Sequence, residues 1–77
     1  MYKFANTAIK GLKGIISNLE SNLEELGTLL YFTENAEQRN EEEIFELQEN
    51  ILFIGQQKRD IEMALRDMLL FNKNSGC

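Results

Sequence analysis

Apolar residues in the first half of the chain repeat with one period. They step by three and four positions without a break, a heptad pattern with a period near 3.5. The residues of this stripe are Tyr2, Ala5, Ile9, Leu12, Ile16, Leu19, Leu23, Leu26 and Leu30. The pattern predicts a long helix over about residues 3–32 that packs along another helix. Ala8, Ile15 and Leu29 each precede a stripe residue and widen the stripe, which suits a helix bundle better than a two-stranded seam.

The second half of the chain repeats the pattern. Its stripe residues are Ile44, Leu47, Ile51, Ile54, Ile61, Leu65 and Met68. Lys58 occupies the one stripe position where an apolar residue is expected. It is either a lysine whose stem packs while its ammonium group reaches water, or a polar residue that fixes the register. We expect a second helix over about residues 40–71. The polar residues that follow, beginning with Asn72, predict a flexible tail over residues 72–77.

A polar stretch from Thr33 to Ile44 separates the two patterned segments. Asn40 is a good N-cap residue, and the three glutamates that follow it favour the first turn of a helix. Glu43 is placed to complete a capping box, and Asn35 with Gln38 is a weaker candidate. A turn over about residues 33–40 makes the helices antiparallel neighbours. The predicted fold is therefore all-α, a long antiparallel two-helix hairpin in a single domain over residues 1–77.

Glycines within the first segment offer an alternative. Gly27 is a possible C-terminal cap that would break the helix. Leu29 and Leu30 keep the phase of the stripe beyond it, so a continuous helix is favoured.

More apolar residues are present than one hairpin seam needs. Six of them are the predicted partner-binding residues: Phe45, Leu52, Phe53, Met63, Leu70 and Phe71. Leu69, Phe4, Tyr31 and Phe32 also lie off the stripe. Contiguous exposed apolar patches mark interaction surfaces, and a domain of 77 residues is marginally stable alone. We therefore expect a homodimer that forms a four-helix bundle, and binding to another protein.

Charge is distributed unevenly along the chain, whose net charge is −5. Residues 1–16 carry +3, residues 20–49 carry −9 and residues 58–73 carry +1. In an antiparallel hairpin the first and last of these segments share one end, the base, while the acidic segment surrounds the turn, the tip. Because like-charged tips repel, the two hairpins of a dimer should run antiparallel.

Residues for catalysis or metal binding are scarce. The chain has no histidine and one cysteine, Cys77, whereas catalysis and zinc binding rest most often on these residues. The segment containing Gly11 and Gly14 lacks the spacing of a phosphate-binding loop. We expect no enzymatic activity, no catalytic residues, no metal and no cofactor. No apolar run approaches the length of a signal peptide or a membrane span, so a cytoplasmic protein is expected.

Two functions from different classes fit these observations. The favoured one is a small chaperone, adaptor or inhibitor that binds a protein partner through its apolar surplus, without direct contact to nucleic acid. The alternative is an acidic mimic of nucleic acid that inhibits a host DNA- or RNA-binding protein. Residues 2–19 also resemble a basic amphipathic helix of the kind that lies on membranes, although their place in the stripe favours core packing. In shape alone, the hairpin resembles the co-chaperones of type III secretion needle subunits and small phage-encoded inhibitors.

Overall fold

The computed structural model describes residues 3–75, which form two antiparallel helices. Helix α1 spans Asn6–Glu34 and helix α2 spans Glu41–Ser75. They pack side by side into a rod of 61 × 15 × 11 Å, with no strand among the described residues. The predicted all-helical two-helix hairpin is confirmed.

The seam between the helices is the predicted heptad stripe. Every predicted stripe residue from Ile9 to Leu30 on α1 and from Ile44 to Met68 on α2 is buried or half-buried, and the same repeat extends the seam to Thr33 and Asn72. All other residues of α1 are exposed, and so are those of α2 apart from Gly55 and Ser75, whose side chain is not described. Lys58 occupies its predicted seam position and is half-buried. Ala5 is exposed, and Tyr2 lies outside the described residues.

The turn connects the helices over residues 35–40. The Asn40 side-chain oxygen accepts a hydrogen bond from the Glu43 N–H at 3.2 Å, and the Asn40 carbonyl accepts one from Ile44 at 3.0 Å. Asn40 is therefore the N-cap of α2, as predicted. At the end of α1, the backbone N–H and the side-chain amide of Asn35 both donate to the Tyr31 carbonyl, at 3.1 and 2.7 Å.

The base of the hairpin differs from the predicted flexible tail. Helix α2 continues through Ser75, so that prediction is wrong for residues 72–75, while Gly76 and Cys77 lie outside the described residues. The Asn72 side chain accepts a hydrogen bond from the Phe4 N–H at 2.7 Å and donates one to the Phe4 carbonyl at 3.0 Å. The Phe4 and Phe71 rings meet edge to face at 5.3 Å. Through these contacts the last turns of α2 pack against Phe4, in the segment that precedes α1.

Helix α1 begins three residues later than predicted, at Asn6. Ala5 is extended and makes no side-chain cap hydrogen bond. The Phe4 carbonyl, which would accept a bond within a longer helix, accepts one from Asn72 instead. The cross-helix contact thus lies immediately before the first turn of α1.

Helix α1 passes through Gly27 without a break, as favoured from the sequence. A Cβ atom built at Gly11, Gly14 or Gly27 meets nothing within 4 Å. Packing within the hairpin therefore does not require glycine at any of these positions.

Candidate interaction surfaces

The hairpin leaves most of its apolar side chains in contact with solvent. Among the described residues only Ile9, Ile16 and Ile44 are buried hydrophobics. The accessible surface is 6173 Å², whereas a compact monomer of 8.9 kDa exposes about 4,800 Å². The excess, about 1,400 Å², is larger than the roughly 800 Å² that one partner loses in a standard interface.

Twelve large apolar side chains are exposed among the residues that the structure describes. They are Phe4, Ile15, Leu29, Tyr31, Phe32, Phe45, Leu52, Phe53, Met63, Leu69, Leu70 and Phe71. All six predicted partner-binding residues are among them, with Leu52 the most open at 68%. Their exposure is established, and their role in binding remains a prediction. Ile15 and Leu29, which were expected to widen the packed stripe, lie outside the seam of the single hairpin.

The rod has two broad sides, and contacts across the seam identify them. Heptad positions on one flank of the seam share a side in antiparallel helices. Phe4 touches Phe71 on one side. Lys13, Arg66 and Leu69 line a common groove on the other side. The remaining positions follow from these by heptad spacing.

The first side is the acidic face. Its exposed apolar residues are Phe4, Ile15, Leu29, Phe32, Phe53 and Phe71. Its charged residues are Glu25, Glu43, Glu46, Asp60 and Asp67. No lysine or arginine occurs at the described positions of this face, so its charge has one sign from base to tip.

The second side is the mixed-charge face, and its charge changes sign along the rod. In the base half its cations are Lys10, Lys13, Arg59, Arg66 and Lys73. From the middle of the rod to the tip its charged residues are Glu20, Glu24, Glu34 and Glu41. Glu62 is the one acid that heptad spacing places among the cations. The predicted electric polarity of the rod is thus concentrated on one face.

A groove of about 530 Å³ runs along the base half of the mixed-charge face. Its floor is apolar and includes Ile16, Leu65 and Leu69, while Lys13, Arg66 and Lys73 contribute to its rim. A smaller apolar groove lies toward the tip beside Leu30 and Leu52. Phe45 and Leu52 share one heptad position, so both project from the tip half of this face.

The six predicted partner-binding residues therefore do not form one patch. Phe53 and Phe71 lie on the acidic face, and Phe45 and Leu52 lie on the mixed-charge face. Met63 and Leu70 share the heptad position opposite the seam, and Leu70 also lines the groove. Sequence reasoning missed the cations that accompany Phe45 and Leu52 on one face. The signal was present, because Arg59, Arg66 and Lys73 repeat the heptad position of Phe45 and Leu52.

Other site chemistry is absent from the part of the chain that the structure describes. Within residues 3–75, no cluster of three or more acidic, cysteine or histidine side chains is arranged to hold a metal ion. Neither helix contains a stretch that is both long and apolar enough to cross a bilayer.

Comparison with known proteins gives no relative: no family model, curated protein or solved structure matches this chain.

Proposed function

We propose that this chain is a non-enzymatic interaction protein that binds a protein partner, as a small chaperone, adaptor or inhibitor does. The observation that carries the proposal is the imbalance, within residues 3–74, between three buried hydrophobics and twelve large exposed ones. Burying such side chains stabilises an interface by about 25 cal/mol for each Å² removed from water. An exposed surplus of this size marks an interaction surface.

Self-association is part of the same proposal. Two hairpins that associate as a homodimer form a four-helix bundle, the simplest closed arrangement that covers part of the apolar surplus. The charge polarity of the rod favours an antiparallel pair, because acidic tips repel when they lie together.

The acidic face is the surface proposed for the protein partner. Its apolar side chains span the rod from Phe4 at the base to Phe32 near the tip, and its ionisable groups are all carboxylates. A complementary partner would present an apolar stripe flanked by lysine or arginine side chains. An amphipathic basic helix has this chemistry.

The test compares two positions one heptad apart on the acidic face. Phe53→Asp places a charge among apolar contacts, which costs several kcal/mol in a formed interface, whereas Glu46→Ala removes one exposed carboxylate. Immobilised wild-type and variant proteins are incubated with lysate of the source cells, and bound proteins are identified by mass spectrometry. We expect Phe53→Asp to lose a partner that Glu46→Ala retains. Equal retention by both variants would contradict partner binding through this face.

The single-signed charge of the acidic face also favours a second function. A rod with carboxylates and no cations along one side resembles the charge of a nucleic-acid strand, so the chain is a candidate decoy for a DNA- or RNA-binding protein. Ionic strength separates the two functions. Decoy binding should weaken steeply between 50 and 500 mM salt, because the Debye length shortens about threefold over that range, while apolar binding should change little.

A further inference from the structure

We propose that the mixed-charge face is the surface through which two copies of this chain associate, with one copy turned end for end. The inference rests on the proposed self-association and adds the face and the residues that form it.

Charge complementarity is the first argument. When two mixed-charge faces meet in antiparallel orientation, the tip of each copy lies over the base of the other. Glu34 and Glu41 at the tip then approach Lys10 and Lys73 at the base, and the two-fold axis repeats these pairings. A parallel arrangement would place cations against cations and acids against acids.

The groove provides the second argument. Its apolar floor of Ile16, Leu65 and Leu69 lies in the base half, whereas Phe45 and Leu52 project from the tip half of the same face. In the antiparallel pair, Phe45 and Leu52 of the second copy lie over this groove. These two apolar side chains have acids beside them on the same face, and they therefore complement a groove with an apolar floor and cations on its rim.

The available area is the third argument. The rod measures 61 × 15 Å across its broad side, which gives about 900 Å² for each copy, close to the roughly 800 Å² per partner of a standard interface. A full-length antiparallel overlap therefore has the extent that a stable dimer needs.

The acidic face is a poor surface for self-association. Bringing two copies together there would oppose carboxylates such as Asp60 and Asp67 with further carboxylates, and no described cation lies between them. Repulsion of this kind disfavours the wrong pairing. The mixed-charge face therefore binds a second copy, and the acidic face remains free for a different partner.

Matched charge inversions test the assignment. Glu34→Lys with Glu41→Lys alters the mixed-charge face, and Asp60→Lys with Asp67→Lys alters the acidic face. Each pair inverts two carboxylates, so both variants have the same net charge. Sedimentation equilibrium at low salt should show the dimer dissociation constant raised about tenfold or more by the first pair, since two attractive pairings and their two-fold copies become repulsive. The second pair should leave it within about threefold. Circular dichroism verifies that both variants remain helical.

A mixing experiment adds a rescue. Lys10→Glu with Lys73→Glu should also weaken the dimer. Mixing this variant with the Glu34→Lys, Glu41→Lys variant should restore dimers, because the inverted base of one chain meets the inverted tip of the other. Failure of the mixture to associate would overturn the assignment, as would a larger effect from the Asp60, Asp67 pair. A wild-type chain that stays monomeric would instead refute the proposed self-association itself.

Orientation is measured with one spin label at the tip. A Gln38→Cys variant in which Cys77 is replaced by serine carries a single nitroxide at the turn. In the antiparallel dimer the two labels lie at opposite ends of a rod 61 Å long, and double electron–electron resonance should give a distance of that order. Two labels within about 25 Å of each other, roughly two helix diameters, would place the tips together and overturn the proposal.

Discussion

Asn72 joins the two helices at the open end of the hairpin. Its amide matches both backbone hydrogen-bonding groups of Phe4, donating to the carbonyl and accepting from the N–H. Those groups lie just before α1 and would otherwise need water as their partner. We call these two hydrogen bonds the Asn72 clamp. The Phe4 and Phe71 rings are in contact beside it, so the clamp and the aromatic pair join the helices at the same level of the rod.

Removing this clamp should destabilise the hairpin. Asn72→Ala should lower the free energy of unfolding by about 1 kcal/mol, because two hydrogen bonds of ordinary net strength are lost and the better helix propensity of alanine offsets part of the loss. Urea denaturation followed by circular dichroism measures the change. The control is Asn18→Ala at an exposed helical position, where the propensity gain should raise stability slightly. Equal effects at both positions would show that the clamp contributes nothing.

The role of Asn72 could not be predicted from local sequence. Asparagine is a poor residue inside helices and is common where helices end, so a polar run starting at residue 72 predicts a tail. The stabilising partner, Phe4, is 68 residues away along the chain. The heptad repeat did contain a clue, since Asn72 occupies the next seam position after Leu65 and Met68.

At the scale of the element, the heptad repeat of apolar residues predicted the two helices and the side of each that is buried. Stripe positions such as Ile16 and Ile44 are buried because a 3.5-residue repeat keeps one side of each helix facing the other. The turn was predictable because Asn40 and the glutamates after it form a favourable helix start. The sequence analysis did not predict that the exposed apolar residues divide between two faces. That division depends on which side of α1 lies next to which side of α2, and the repeat within one helix does not give this.

Helix α1 carries a glycine that the hairpin does not need. Gly14 lies opposite the seam, where an added Cβ meets nothing within 4 Å. Gly14→Ala should raise the free energy of unfolding by about 0.5–1 kcal/mol, because alanine restricts the unfolded chain and favours helix. Urea denaturation measures this. The dissociation constant of the dimer should not change, since Gly14 lies outside both broad faces. A loss of stability would instead indicate that another chain approaches this glycine closely.

At the scale of the whole molecule, the hairpin is a thin rod whose two sides differ in chemistry. A seam one layer deep leaves no fully buried side chain among the described residues, so the fold depends on modest contacts spread along 61 Å. One side has charges of one sign and the other has charges of both signs. We expect a second copy of the chain to bind the mixed-charge face and a basic, apolar partner to bind the acidic face.

Sedimentation equilibrium of the unmodified chain at micromolar concentration tests the central claim, that the exposed apolar surface is an interaction surface used first for self-association. The account predicts a mass twice the 8.9 kDa of one chain, with dissociation on dilution and a helical circular dichroism spectrum throughout. A folded, helical species that stays at 8.9 kDa across the concentration range would contradict it.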